Sequence, residues 1–294
     1  MALSEPDAEA INEALKDWRQ GDITLDEGLE FLHLGDLSRP HTEASEQTAA
    51  AFAETGEAVP VGPTPLMDGA LHGLVVLSQT CDVVRDCRDR PYIEVAPLIE
   101  ASAEQLEAAR RLKMPAYAYI PAVAERRLVA HLDRVMTVEK SLVARWRRVP
   151  GWEHDSEVRA FGQALARKRV RFAFPDAFTE AIKRLAARLS KQHEKQNEDG
   201  AYLRALWQIR VRAAPAWEGE KVDLEWWFIK HYDPEGIEKV DWPAVVESWM
   251  SLFDAGECFT VSGVIVCRLE DMTARDYVES DILEFEHLST ARKK

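Results

Sequence analysis

The sequence predicts an α+β protein in three parts: a small N-terminal β-barrel with a long insertion (residues 1–150, insertion 35–72), a helical hairpin (151–200) and a C-terminal β-β-α-β unit (201–294). Three observations carry this prediction. Short β-branched, apolar runs joined by tight polar connections recur from about residue 19 to about 140, as in a small barrel. Two apolar stripes at helical spacing follow between Ser156 and Gln196. Beyond Ala205 the periodicity runs strand, strand, helix, strand.

Each element has a local reason. In SEPDAEAINEALKDW (4–18), Ser4 is an N-cap, acids fill the first turn, and Ile11, Leu15 and Trp18 are spaced by four and three, which reads as a short amphipathic helix. Gly21 allows a sharp turn into a strand at Ile23, and residues 24–34 read as helical. Residues 35–72 are rich in Gly, Pro, Ser, Thr and Glu and are expected to form a mobile insertion or lid, with the Ala-rich TEASEQTAAAFAETG as its helical interlude.

From Leu74 the pattern sharpens. LVVLS (74–78) is a buried strand bounded by Gly73 and a polar cluster; RPYIEVAPLI (90–99) is a second, with Ile93 and Val95 on one face and Tyr92, Glu94 and Ala96 on the other. Residues 101–113 read as helix, then YAYIPAV and RRLVAHLDRV as strands. Ser156 caps a helix with Val158, Phe161, Leu165 and Val170 on its stripe; Pro175 and Asp176 open the next, with Phe178, Ile182, Leu185 and Leu189 on one face. After a turn at NEDG come the strands ALWQIRVRA and KVDLEWWFIKH, the helix WPAVVESWMSLF, the strand CFTVSGVIVCRL, and a tail with a Thr273-capped turn followed by DILEFEHLS.

Composition narrows the function classes. Hydrophobic residues at 46% and charged residues at 30% are ordinary for a globular chain. No run of 18 or more apolar residues and no secretory start is visible, so a cytoplasmic protein with no membrane contact is expected. The net charge of −14 is unevenly spread: residues 1–70 hold 3 Lys/Arg against 15 Asp/Glu, residues 71–220 hold 26 against 20, and residues 221–294 hold 8 against 16. Only the middle has the sign to face a polyanion. Acidic ends packed beside a basic middle explain the same pattern. Cys81, Cys87, Cys258 and Cys267 are spaced C-x5-C and C-x8-C, which matches neither a paired C-x2-C zinc site nor a disulfide framework. Reduced thiols and no metal are expected, and the lack of a glycine-rich phosphate loop adds no cofactor.

Four stretches in order carry a resemblance: Gly21-Asp22-Ile23, Leu74 to Ser78 with a turn closing at Asp82, Val95-Ala-Pro-Leu98-Ile, and LVAHLDRVMTVEKSLV. Together they resemble the SH3-like barrel of the MazF/PemK toxins over residues about 18–149. That resemblance implies a metal-independent endoribonuclease fold. Two departures qualify the implied activity: no Gly-x-Glu-Gln…Arg-Pro motif precedes Leu74, and Ile99 with Glu100 stands where the family has a catalytic Thr or Ser. The Ser78-Gln-Thr-Cys-Asp82 turn and TARDYVESDILEFEHLS also resemble uncharacterised prokaryotic proteins, some associated with phage defence or genetic conflict.

The turn after Leu77 is therefore the candidate site. Cys81 as a nucleophile needs a nearby cation or histidine, and Arg85, Arg88, Arg90 and His72 lie close in sequence, although Asp82 opposes ionisation of the thiol. Metal-free RNA cleavage needs a base, an acid and a cation, types that Ser78, Thr80, Asp82, Glu94, Arg85 and Arg90 supply. Asp82, Cys81 and Arg85 are the catalytic candidates; Ser78, Gln79, Thr80, Arg88 and Arg90 are binding candidates. The tracts Arg145–Arg148 (RWRR) and Ala166–Phe172 (ARKRVRF) interleave cations with Trp146 and Phe172, so Arg145, Arg147, Arg148, Arg167, Lys168 and Arg169 are candidate phosphate contacts. The leading expectation is a binding component of a conflict system that engages RNA, DNA or a partner protein. An endoribonuclease of modified MazF type and a Cys81-dependent hydrolase are the alternatives.

Overall fold

The structure, a computed structural model, describes residues 3–68, 71–112, 114–170, 172–193, 195–230 and 240–283. It is a mixed α+β chain that divides into two compact units, Met1–Val170 and Arg171–Lys294.

In the first unit, helix α1 (Glu5–Leu15) starts where Ser4 Oγ accepts from the Asp7 amide, and it buries Ala8 and Leu15. Strand β1 (Ile23–Thr24) follows a turn at Gly21, whose φ of 85° and contact with the Trp152 ring leave no room for a Cβ. Strands β2 (Phe31–Asp36) and β3 (Pro63–Asp68) form a two-stranded ribbon with α2 (Glu43–Thr55) between them in the chain. The expected helix over 24–34 is absent: Phe31, His33 and Gly35 stand opposite Asp68, Leu66 and Thr64 in the ladder, partners about thirty residues away that local periodicity does not reveal. The insertion 35–72 is thus built as ribbon and helix, and the expected interlude is α2, with a capping box at Thr42 and Ser45.

The remaining strands of this unit are β4 (Leu74–Val76), β5 (Tyr92–Glu100), β6 (Tyr117–Tyr119), β7 (Leu128–His131) and β8 (Met136–Glu139). Their order is β1-β4-β5-β7-β6 with β8 also on β5, and among the described residues the pairings close no barrel. Strand β5 is the hub, pairing with β8 over 92–95, with β4 over 95–97 and with β7 over 98–100. Glu94 and Leu98 bond toward the β4 side, so alternation turns the nitrogen of Pro97 to the other edge. There β8 ends and β7 begins, and a residue without an N–H costs the ladder nothing.

Between these strands lie α3 (Thr80–Val83), α4 (Ala103–Arg110) and α5 (Lys140–Val143). The expected strand over YAYIPAV stops at Tyr119, where Pro121 starts a 3-10 turn. Two apolar clusters sandwich the sheet: Ile23, Val75, Ala96 and Leu98 face one, Leu74, Val76, Ile93 and Val95 the other. Helix α6 (Asp155–Arg169) adds Phe161 and Ala164 to the first cluster. Its cap is His154 rather than Ser156, because the Glu157 carboxylate accepts from the Glu153 and His154 amides.

In the second unit, α7 (Asp176–His193) buries Phe178, Ile182, Leu185 and Leu189 as its stripe predicts. The helices expected to form one hairpin are divided: α6 contributes to the core of the first unit and α7 to that of the second. The expected turn at NEDG is a cap, since Asn197 Oδ1 accepts from the Gly200 amide and starts α8 (Glu198–Ala205). Strands β9 (Leu206–Ala214), β10 (Val222–Lys230), β11 (Phe259–Arg268) and β12 (Asp281–Ile282) order as β11-β10-β9-β12. Helix α9 (Trp242–Met250) connects β10 to β11, which lie parallel, so the β-β-α-β order is present. Phe178 sits in an aromatic nest with ring centroids 4.8 Å from Trp217, 5.0 Å from Phe174 and 5.9 Å from Trp226. Truncating such a side chain costs roughly 3–5 kcal/mol. Helix α10 (Ala274–Glu279), capped by Thr273, precedes β12; the rest of the tail reading, from Glu284 on, lies outside the described residues.

Candidate functional site

The turn after β4 is not a loose loop. Leu77 donates its amide to the Glu94 carbonyl at 2.8 Å, and Ser78 Oγ accepts from the Glu94 amide at 2.8 Å, so the chain leaves β4 stitched to β5. Thr80 Oγ accepts from the Gln20 amide at 3.1 Å, and the Gln20 side chain donates to the Leu77 carbonyl at 2.7 Å. Ser78, Thr80 and their neighbours thus hold the backbone in place.

At the far end of α3, the side chain of Lys140, only 1% exposed, donates to the carbonyls of Asp82 at 2.8 Å and Arg85 at 2.5 Å. A one-turn helix leaves its last carbonyls without intrahelical partners, and a buried ammonium satisfies two acceptors at once. Burial holds the Lys140 ammonium below its ordinary pKa. Nothing in the sequence motif marks this residue; the only signal is a lysine at the start of an otherwise apolar stretch.

Beyond α3, Asp86 accepts from Asn12 Nδ2 at 2.9 Å, and the Cys87 amide donates to Asn12 Oδ1 at 2.9 Å. Arg88 hydrogen-bonds Asp86, holding that carboxylate well below the usual range, and also pairs with Glu5 at 2.5 Å. Arg88 therefore fastens α1 to the turn rather than facing a ligand.

The catalytic candidates do not assemble. Cys81 is exposed, and the recorded partner of its thiol is the Gln79 carboxamide oxygen at 3.7 Å. Asp82 lies 4.0 Å from Arg90, and Arg85 has no ion pair among the described residues. His72 is 3.5 Å from Glu100, at the other end of β5. Cys81 and Cys87 belong to the first unit, Cys258 and Cys267 to the second, and no group of three or more His, Cys, Asp or Glu that could hold a metal occurs among the described residues.

The basic tracts are partly neutralised within the fold. Arg148 Nε donates at 2.5 Å to Asp22, a carboxylate 1% exposed that also accepts from the Arg19 amide at 2.7 Å. Lys168 pairs with Asp133, Arg169 with Glu94 at 2.7 Å, and Arg147 lies 3.9 Å from Asp26. Arg167 also has a partner within the fold. Arg145 is exposed and has no ion pair among the described residues. Of the candidate cations, Arg85 and Arg145 are exposed with no ion pair among the described residues, Arg90 is 59% exposed and only 4.0 Å from Asp82, and the same turn exposes Gln79 and the 61% exposed Tyr92. Tyr92 pairs with Glu139 across β5 and β8, and Lys140 donates its amide to the Pro91 carbonyl, so the backbone at Tyr92 adjoins that of Lys140. The alternation in RPYIEVAPLI places Tyr92 on the face opposite Ile93 and Val95, which is the signal for its exposure.

Comparison with protein families, with curated proteins and with solved structures finds no match for this chain. No described helix is long and apolar enough to cross a membrane.

Proposed function

We propose that the first unit is a nucleic-acid-binding module of a prokaryotic conflict or defence system, with its contact surface on the turn from Ser78 to Tyr92. The observation that carries this reading is the contrast within the turn. Its backbone is fixed by Ser78, Thr80 and the buried Lys140, while the Arg85 and Tyr92 side chains are exposed with no ion pair or side-chain hydrogen bond among the described residues. A rigid support that exposes a cation and an aromatic ring on one turn suits single-stranded nucleic acid, whose phosphates need the charge and whose bases stack. The defence setting rests on the resemblance of the Ser78–Asp82 turn and of the stretch TARDYVESDILEFEHLS alone.

The sheet itself is read as an SH3-like barrel of MazF/PemK type that is incompletely closed. Support comes from the shared strand β5, from the short β1 opening after Gly21, and from the bridge between Ile23 and Val149, which brings the chain after α5 back to β1.

The test is fluorescence anisotropy of a short labelled single-stranded RNA or DNA over a salt series. Each phosphate contact contributes a slope of about −0.7 in log K against log salt. Arg85→Ala with Arg90→Ala is expected to lower the slope by one to two contacts, and Tyr92→Ala to weaken binding with the slope unchanged. Binding that is absent, or unchanged in both variants, rejects the reading.

One observation favours endoribonuclease activity as a second reading. Glu94, the residue whose amide binds Ser78, carries a carboxylate paired with Arg169, which brings a base on β5 and a cation from the end of α6 together. Metal-free incubation with RNA then yields cyclic-phosphate ends that Glu94→Gln abolishes; intact RNA removes it.

A further inference from the structure

We infer that the β2–β3 ribbon is a docking surface for a basic, amphipathic segment of another protein. This is independent of the nucleic-acid reading and uses a different face of the first unit.

The two faces of the ribbon differ in fate. The inner face is filled: Phe31 and Leu66 are buried, the Arg134 guanidinium sits 4.6 Å above the Phe31 ring and pairs with Asp68 at 2.5 Å, and the Leu66 side chain occupies the space where a Cβ on Gly35 would lie. The outer face carries Leu32, Leu34, Pro65 and Met67. Leu32 stands opposite Met67 and Leu34 opposite Pro65 in the ladder, so the four form one contiguous patch. Leu32 is 48% exposed, Leu34 70% and Met67 61%. A strand pair with polar residues on its outer face would fold equally well, since the inner face already supplies the burial. Contiguous exposed apolar surface of this kind marks an interaction site.

Charge selects the occupant. Residues 20–70 contain one Lys/Arg, Arg39, against ten Asp/Glu. On the ribbon itself there is no cation, and exposed Glu30 and Asp36 flank β2 at either end. Asp36 is held below its ordinary pKa by hydrogen bonds from Ser38, so its charge is secure at neutral pH. A second copy of this chain would set one acidic segment against another, and nucleic acid is repelled for the same reason. An extended or helical segment with apolar anchors and Lys/Arg flanks matches both the patch and its rim.

The experiment uses the full chain and, as probe, a synthetic peptide alternating leucine and lysine, with an all-lysine peptide and a leucine–glutamate peptide for comparison. Expected is binding of the leucine–lysine peptide alone, weakened by about tenfold in Leu34→Ser with Met67→Ser. Both positions are exposed and leave the inner face intact, and circular dichroism with a melting curve checks that the variant folds. Equal binding of the leucine–lysine peptide to the parent and the double variant overturns the inference, as does equal binding of the all-lysine peptide. Concentration-dependent dimerisation in analytical ultracentrifugation that the double variant abolishes also overturns it, by assigning the face to a second copy. Loss of RNA binding in Arg85→Ala leaves peptide binding unchanged, so the two readings fail separately.

Discussion

Lys140 Nζ donates to the carbonyl of Asp82 at 2.8 Å, and this contact, with its twin to Arg85, makes α5 the support on which the candidate turn rests. Lys140→Met keeps the apolar stem but leaves two carbonyls in a buried site. It is expected to destabilise the first unit by roughly 2–3 kcal/mol, read from urea unfolding. It should also raise hydrogen exchange over 80–90 in the folded protein.

The same lysine has a pH signature. Its folded-state pKa lies below the ordinary 10.5 because of burial, so on raising pH the folded chain releases this proton before the unfolded chain does. Between the two values the unfolded state binds more protons, and stability from this group rises with pH. The gap in stability between the parent and Lys140→Met is therefore expected to widen from neutral pH toward 10.5. A gap that narrows would mean that the ammonium is not desolvated. A neutral amine still offers two N–H groups to two carbonyls, so the clamp survives deprotonation.

Cys81 supplies a sharp contrast with a thiol enzyme. It is exposed, with Gln79 as its recorded partner, whereas Cys87 and Cys267 are buried and burial raises the Cys267 thiol. Under native conditions an alkylating reagent is expected to label Cys81 ahead of Cys87 and Cys267. Its rate at neutral pH should match the same cysteine in the unfolded chain within about threefold. A native rate far above the unfolded one would restore the hydrolase reading.

Arg148 was expected at a nucleic-acid surface, and its pairing with Asp22 makes a different prediction. Arg148→Ala leaves a carboxylate that is almost fully enclosed without its cation, and breaking such a pair costs roughly 3–5 kcal/mol when both partners are buried. Arg148 keeps part of its surface in water, so about 2–3 kcal/mol is the expected loss, measured by chemical denaturation. Any fall in RNA affinity of this variant should track its unfolded fraction. Arg145→Ala, at an exposed position, should leave stability within about 0.5 kcal/mol of the parent.

What was legible in the sequence is what depends on near neighbours. The β-branched run at Leu74, the stripe through Phe178, Ile182, Leu185 and Leu189, and the Ser4 cap each announce themselves within a few residues. The ribbon was missed because Phe31 finds its partner at Asp68, and the clamp because Lys140 lies 58 and 55 residues from the carbonyls it binds. The Asp22 to Arg148 pair spans 126 residues, and from sequence alone that arginine is indistinguishable from Arg145 or Arg147. Residue types at the candidate site were readable; which cations were already in use was a tertiary property.

In the second unit, Arg210 and Arg212 on β9 hold α10 almost without apolar help. Arg210 donates to Ser280 Oγ at 2.9 Å and the Tyr277 carbonyl at 2.8 Å, and Arg212 pairs with Asp276 at 2.9 Å and with Glu225. No residue of α10 is buried, and Val278 is exposed, so the helix is bound by charge and hydrogen bonds. The Arg212 ion pairs, partly open to solvent, weaken in salt, whereas the Phe178 nest does not depend on it. Arg212→Met is therefore expected to raise amide exchange over 273–282 by about tenfold or more while β9 and β10 stay protected. High salt should act in the same direction on the parent. Equal loosening of β10 would show instead that α10 unfolds only with its sheet.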